Sequence, residues 1–308
     1  MNMKAFITGI SGFTGIHLTE LLKKEGFKVT GIDLKKGNYY QCDLTDKEKL
    51  SEIVLREKPD YVFHLASPIL RSDKLIDETL VKNLNVDLFG TVNLIEAVSK
   101  LDKKPKVLIT STAAVYRQNM GEPFKETDKL EPRTAYGLSK LTQELIGLKL
   151  AESYSLPLVV SRSILLIGAN QAEGFVVNDL IKQVAEMEVK GRKAVLEVGD
   201  LKTRRDFTDI RDGVKAYLTI IKKGEPGEIY NVCSNRTVEI REIVEWLMKN
   251  SRVKFKVKEK LEWRKNDLDV LVGNNTKLKK LGWKAGFTLD DSLKEILDYW
   301  RNIFKVKS

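Results

Sequence analysis

The chain is poor in the residues that build metal clusters and disulfide frameworks. Among its 308 residues are two cysteines, Cys42 and Cys233, and two histidines, His17 and His64. The cysteines lie far apart with no CxxC spacing, which leaves too few soft ligands for a zinc cluster and reads as two reduced packing residues. Long apolar runs are missing too. The most apolar segment, Leu156 to Ala169, is broken by Ser161, Arg162 and Ser163, so nothing approaches the roughly 18 residues of a membrane helix. Lys4 leads through Ala5, Phe6 and Ile7 into Thr8-Gly9 without the apolar core of a signal peptide, and the cytoplasm is the expected compartment. With 20 glycines and 7 prolines the chain is neither collagen-like nor low-complexity, and 42% hydrophobic with 31% charged residues is the balance of a folded globular protein.

Positive charge is in excess, 53 Lys and Arg against 43 Asp and Glu, for a net charge of +10. Much of it falls after Asn250, where Lys254, Lys256 and Lys258 alternate with Phe255 and Val257 ahead of Lys260, as in a strand with one wet face. A basic balance admits nucleic acid, an anionic membrane surface or a phosphorylated small substrate, beside a plain solvated surface or adaptation to heat. No nucleic-acid reading motif accompanies the lysines, so neither nucleic acid nor membrane is the expected partner.

Short apolar runs alternate with helical patterns from the start. Strands are expected at Lys4 to Thr8, Lys28 to Asp33, Tyr61 to Leu65, Val107 to Ser111 and Pro157 to Ser161. Helices are expected near Gly15 to Lys24, Asp46 to Glu57, Leu80 to Ser99 and Ala135 to Ser153. Strand-helix-strand repetition implies a parallel sheet with helices on both faces. Thr45 with Glu48 reads as a capping box, and Thr288 with Asp291 marks another helix start. After Gly168 the rhythm turns irregular, with a helix near Val176 to Lys190, the lysine-rich strand and a last helix near Asp290 to Phe304. The expected class is α/β: a Rossmann doubly wound parallel sheet with a smaller C-terminal α/β lobe that binds substrate.

Two motifs carry chemistry. The first strand runs into Gly9, Gly12 and Gly15, spaced G-x-x-G-x-x-G, and then a helix. Glycine lets backbone approach a phosphate, and a helix N-terminus directs N–H groups and partial positive charge at a pyrophosphate. The second strand ends at Asp33, where a carboxylate accepts from an adenosine ribose diol and repels a 2′-phosphate. NAD is the expected cofactor, with NADP admitted by Lys35 and Lys36. Further on, Tyr136 and Lys140 stand at i and i+4 of a helix, so the ammonium can lower the phenol pKa and let Tyr136 exchange a proton with a substrate oxygen. Ser111-Thr112 supplies a hydroxyl at a strand's carboxyl end, where ligands of doubly wound sheets sit.

These motifs resemble those of the extended short-chain dehydrogenases/reductases that act on nucleotide sugars as epimerases, dehydratases and reductases. The similarity includes Thr8 to Gly15, Asp43-Leu44, His64-Leu65-Ala66-Ser67, Asn85 and Gly90 to Ala97. The second half is most similar to GDP-6-deoxy-4-keto-mannose reductases, through Gly174-Phe175-Val176, Val198-Gly199-Asp200, Arg205 to Asp209, Tyr230 to Ser234 and Gly282-Trp283-Lys284.

The resemblance implies a reductase of a 4-keto-6-deoxy sugar nucleotide or, as the alternative, a nucleotide-sugar 4-epimerase. A non-catalytic dinucleotide sensor is a third reading, and such proteins typically lose the Tyr or Lys that this chain keeps. Thr112, Tyr136 and Lys140 would be catalytic. Gly9, Ser11, Gly12, Phe13, Thr14, Gly15, Asp33, Asp43, Leu44, Leu65, Ala66 and Ser67, with Tyr136 and Lys140, would hold the cofactor. Thr112, Asn178, Arg205, Arg264 and Asp267 would contact the nucleotide-sugar substrate. The implied division is 1–165 with 206–233 for the dinucleotide domain, and 166–205 with 234–308 for the lobe. A homodimer is implied, paired through the helices near Leu80 to Ser99 and Ala135 to Ser153.

The chain departs from that pattern in three places. Dehydratases of the group carry an acid after the strand-end hydroxyl, where this chain has Ala113 and Ala114, so no group is evident for eliminating water. Leu165 stands where an Asn is usual, which removes an expected substrate contact. Arg117 follows Val115-Tyr116, where a glycine is common.

Overall fold

The computed structural model describes residues 3–68, 75, 78–118, 121–191, 195–263 and 270–306. The chain opens with β1 (Lys4–Thr8), α1 (Phe13–Lys24), β2 (Lys28–Asp33), β3 (Tyr40–Gln41), α2 (Lys47–Glu57) and β4 (Tyr61–His64). Next come α3 (Glu78–Leu84), α4 (Gly90–Ser99), β5 (Lys106–Thr112), α5 (Ala135–Ser153) and β6 (Leu158–Ser163). The second half holds β7 (Leu165–Ile167), α6 (Val176–Lys190), β8 (Val195–Val198), β9 (Arg204–Arg205), β10 (Phe207–Asp209) and α7 (Ile210–Lys223). It ends with β11 (Ile229–Val232), β12 (Val238–Glu239), α8 (Ile240–Asn250), β13 (Lys256–Glu259), β14 (Val270–Leu271), α9 (Thr276–Lys280) and α10 (Leu289–Val306).

Seven strands pair in the order β11-β6-β5-β4-β1-β2-β3, and every pairing in that sheet is parallel. Parallel strands buried on both faces need apolar residues at every position, which is why β1 reads Ala5-Phe6-Ile7 without a polar break. Alternation sends Phe6 to one core with Leu50, Val54, Leu94 and Val98 from α2 and α4. Ala5 and Ile7 point to the other, with Leu18 and Leu22 from α1 and Val214, Tyr217 and Ile221 from α7. From β1 the chain first adds β2 and β3 on one side, then crosses to β4, β5 and β6 on the other. A crevice therefore opens beyond the carboxyl ends of β1 and β4, the ligand position of such sheets.

A third core sits apart from the sheet. Val177, Leu180, Ile181 and Val184 of α6 pack there with Ile243 and Leu247 of α8 and Leu293, Ile296 and Leu297 of α10. The segment around α9 does not join it: Leu278 and Trp283 are buried against the sheet, where Trp283 Nε1 donates to the carbonyl of Asp212 at 3.0 Å.

Local structure departs from the sequence reading at three points. Asp46 rather than Thr45 caps α2, its carboxylate accepting from Lys49 N–H at 3.1 Å while the Thr45 hydroxyl turns back to Asp43. An acidic cap one residue later does the same electrostatic work and lets Asp43 brace the approach. The helix expected across Leu80 to Ser99 is interrupted by a π turn at Asn85–Phe89, which carries Asp87 into the interior. Helices α7 and α8 were not anticipated at all. Thr288 and Asp291 do cap α10 reciprocally, at 2.6 and 3.2 Å.

Candidate active site

Two adjoining cavities fill the crevice, one of about 390 Å³ and one of about 470 Å³. The smaller is a cradle of main chain. Gly9 has φ +72°, and a Cβ there would lie 2.9 Å from the Cα of Ala66; a Cβ on Gly15 would lie 2.3 Å from the Gly9 carbonyl oxygen. Only glycine fits at either position. Gly12 caps α1 without a side chain and the first turn holds no acid, so its leading N–H groups stay open toward the cavity. Asp33 faces this loop, with one carboxylate oxygen accepting from Ser11 N–H at 3.0 Å and the other from Lys35 N–H at 3.3 Å. These features fit a dinucleotide: an uncapped helix end for a pyrophosphate and a carboxylate at the edge for a ribose.

The expected cofactor residues Gly9, Ser11, Gly12, Phe13, Thr14, Gly15, Asp33, Asp43, Leu44, Leu65, Ala66 and Ser67 all line the smaller cavity, together with Lys35. Thr112, Tyr136 and Lys140 line the larger one. Phe13, Thr14, Leu65, Ser67, Gln171 and Phe175 border both. The two spaces are thus neighbours across a shared wall.

Thr112 ends β5 and opens a short turn, its hydroxyl accepting from Ala114 N–H at 3.3 Å. Tyr136 lies in the first turn of α5, whose cap Thr134 accepts from Gly137 N–H at 3.1 Å. Lys140, one turn on, is 2% exposed and bonded to the Gln143 carboxamide oxygen. Burial pushes its pKa down, while the charges of Asp87 and Glu144 hold it up. A strand-end arginine fastens α5 to the sheet: Arg162 on β6 pairs with Glu144 through two parallel hydrogen bonds, the Nε one at 3.1 Å, and lies 4.8 Å from the centre of the Tyr116 ring. Tyr116, its phenol pushed up to about 12 by burial, donates to Asn231 at 2.6 Å. The apolar lining of the larger cavity includes Ala113, Ala114, Ile164, Leu165 and Leu271, and its charged lining residues among those described are Lys140 and Arg133.

Other expected contacts lie elsewhere. Asn178 lines neither cavity: its amide nitrogen donates to the carbonyls of Gln171 and Ala172, each at 3.1 Å, and its oxygen accepts from Trp300 at 2.8 Å. The side chain is consumed in tying α6 to α10. Arg205 is also absent from the lining, buried with its guanidinium on the carbonyl of Arg204 at 2.9 Å. Arg264 and Asp267 fall outside the described residues. Gln171, Phe175, Ser163 and Tyr217 were missed. Tyr217 reaches the cavity from α7 with its hydroxyl 2.7 Å from Ser163, and nothing in local sequence marks which helix residue reaches a site.

A doubly wound sheet, a glycine cradle and a Tyr-Lys helix turn beside it define a short-chain dehydrogenase/reductase of the extended type. The chain belongs to the GDP-mannose 4,6 dehydratase family, whose profile matches residues 6–296. It is 31% identical to the GDP-6-deoxy-D-mannose reductase of Pseudomonas aeruginosa, with 98% of each chain covered. The solved structure of RMD from Pseudomonas aeruginosa complexed with NADPH superposes with a TM-score of 0.88 at 30% identity, covering 98% of this chain and 99% of that one. A UDP-glucose 4-epimerase from Thermotoga maritima, solved with UDP-glucose, gives 0.84 at 26% identity over 98% and 99%.

Proposed function

We propose that the protein uses NAD(P)H to reduce the 4-keto group of a 6-deoxy sugar nucleotide. One observation carries this reading: Tyr136 and Lys140 line a cavity that borders the dinucleotide cradle and has no carboxylate among its described lining residues. A nicotinamide dinucleotide held in the cradle supplies the hydride. Thr112 holds the sugar oxygen, and Tyr136 gives that oxygen its proton as negative charge develops there. Lys140 stabilises the phenolate left behind and holds the nicotinamide ribose. Ala113 and Ala114 leave no acid to expel a hydroxyl, so water elimination is not part of the reaction, although the family takes its name from dehydratases. The apolar wall suits a methyl group at C6.

The Asp33 carboxylate supports NAD over NADP, against the NADPH of the similar Pseudomonas protein. The lobe formed by 166–205 and 234–308, apart from the α9 segment that packs on the sheet, would bind the nucleotide, with Arg205, Arg264 and Asp267 near its diphosphate and ribose. A homodimer through α3, α4 and α5 is supported by exposed apolar side chains on that face, Val81 at 69%, Phe89 at 56% and Leu145 at 55%. No helix among the described residues is long and apolar enough to cross a membrane, and two buried free thiols suit the cytoplasm.

Incubation with GDP-, UDP- and dTDP-linked 4-keto-6-deoxy sugars and NAD(P)H tests the reading. Loss of reduced nicotinamide with a two-hydrogen mass gain in the sugar is expected. Interconversion of UDP-glucose and UDP-galactose without net cofactor use would instead make it a 4-epimerase, the reading favoured by the Thermotoga similarity. Loss of water from GDP-mannose would overturn both.

A further inference from the structure

Beneath the larger cavity runs a buried polar chain whose donors and acceptors can be assigned one by one. The hydroxyl of Thr91 on α4 gives its proton to the backbone carbonyl of Asp87, because a carbonyl only accepts. With that proton spent, Thr91 Oγ accepts from its other two neighbours, Gln143 Nε2 at 3.0 Å and His64 Nε2 at 2.8 Å. His64 is therefore protonated on Nε2 and bare on Nδ1, which accepts from the Thr8 hydroxyl at 2.7 Å. Thr8 Oγ accepts in turn from Ala66 N–H at 3.2 Å, beside the glycine loop. Burial and the nearby Lys140 charge push the His64 pKa down to about 3, so the ring stays neutral.

Gln143 turns its amide nitrogen toward this chain, and its oxygen consequently faces Lys140 Nζ. An ammonium only donates, so the amide is oriented from both ends. The 3.1 Å approach of Gln143 Nε2 to His64 Nε2 is then a contact between two donors that share the Thr91 acceptor. Gln143, His64 and Thr91 are all essentially inaccessible to solvent. Four elements, β1, β4, α4 and α5, converge on one lysine.

We propose that Gln143 is a positioning residue for Lys140: its carboxamide oxygen, turned to the lysine by the Thr91 hydroxyl that holds its nitrogen, sets where the ammonium stands relative to Tyr136. The inference rests on the reading above for what Lys140 does in turnover. Gln143 Oε1 is the hydrogen-bond acceptor of Lys140 Nζ among the described residues. The other groups facing the ammonium are Asp87 from the π turn, Glu144 on α5 itself and neutral His64 on β4, while Tyr136 lines the same cavity. Glu144 is already paired with Arg162 of β6. Asp87 is held by Ser139 at 2.7 Å through one carboxylate oxygen and leaves the other without a hydrogen-bond partner. Both acids act on Lys140 through charge, and neither fixes its position as a hydrogen bond does.

Without the carboxamide oxygen the buried ammonium is less solvated, its charged form costs more, and its pull on the phenol weakens. Tyr136 ionisation can be read without substrate, as the part of the tyrosinate absorbance change that Tyr136→Phe removes. In Gln143→Met that ionisation should move up by about one pH unit. The kcat should fall roughly tenfold or more, with the sugar-nucleotide KM within about twofold. Thr91→Val, which frees the amide but keeps its oxygen, should move both in the same direction by less, and the double variant should match Gln143→Met alone. A Tyr136 titration in Gln143→Met that coincides with the native one overturns the proposal, and should that variant not fold, an unshifted Thr91→Val does so. If the native protein turns over no sugar nucleotide, the functional reading fails, while the titration still decides the role of Gln143.

Discussion

The two cavities differ in what they are made of. The dinucleotide cradle is largely main chain at the ends of β1, β2 and β4, and its requirements are steric and local: no Cβ at Gly9 or Gly15, no side-chain cap on α1, one carboxylate at Asp33. The larger cavity is assembled from side chains of β5, α5, β6, β7 and α7, and the posture of its lysine depends on Thr8, His64 and Thr91, far away in the chain. Backbone-built sites are fixed by short motifs and should tolerate changes in their surroundings. Sites built of side chains inherit every distant contact that holds them.

The sharpest way to separate the two is Tyr136→Phe, which should lower kcat by about 10²–10⁴ and leave dinucleotide affinity nearly unchanged; stopped-flow turnover beside calorimetric titration reads both. An equal loss of affinity would mean the cavities are not separable. Next in size is Arg162→Met, which leaves Glu144 as an uncompensated buried charge and should cost about 3–5 kcal/mol in urea unfolding. Its damage should fall on α5 first, so hydrogen exchange in that helix should rise before that in β1.

A smaller effect concerns acid. The folded state holds His64 near pKa 3 against 6.5 when free. Between those values the unfolded chain binds a proton that the folded one refuses, so stability is intact above about pH 6.5 and declines as pH falls toward 3, by an amount on the order of a few kcal/mol. Unfolding midpoints at neutral and mildly acid pH, compared with those of His64→Asn, isolate that contribution. The smallest is Asp33→Asn, expected to shift relative affinity toward NADP over NAD by roughly tenfold in paired calorimetric titrations. An unchanged ratio would show that the Asp33 carboxylate does not discriminate between the two.

The cradle was legible because glycine spacing and a strand-end acid report geometry within some thirty residues. Tyr136 and Lys140 were legible for the same reason, being one helix turn apart. Asn178 was not, since a polar side chain in a lobe has many partners to choose from, and this one found Trp300, Gln171 and Ala172. Helices α7 and α8 went unread although each has a continuous apolar face, because the two- and three-residue strands β9, β10 and β12 interrupt the strand-helix rhythm that served in the first half. The π turn follows the same logic. Its effect is to turn Asp87 inward, and no window of sequence distinguishes that from an ordinary turn of helix.

The far edge of the sheet has a consequence for how the chain is made. Strand β6 ends at Ser163, but the strand that covers its open side, β11, ends at Val232. At the roughly 5–20 residues per second of synthesis, several seconds separate the emergence of the two. Throughout that interval a nascent chain presents β6 as a bare, apolar ladder of unpaired N–H and C=O groups. Any break between Ser163 and Val232, whether by truncation, premature termination or splitting the gene, leaves that ladder exposed for good, and such fragments should aggregate even though they contain the whole glycine cradle and the Tyr-Lys pair.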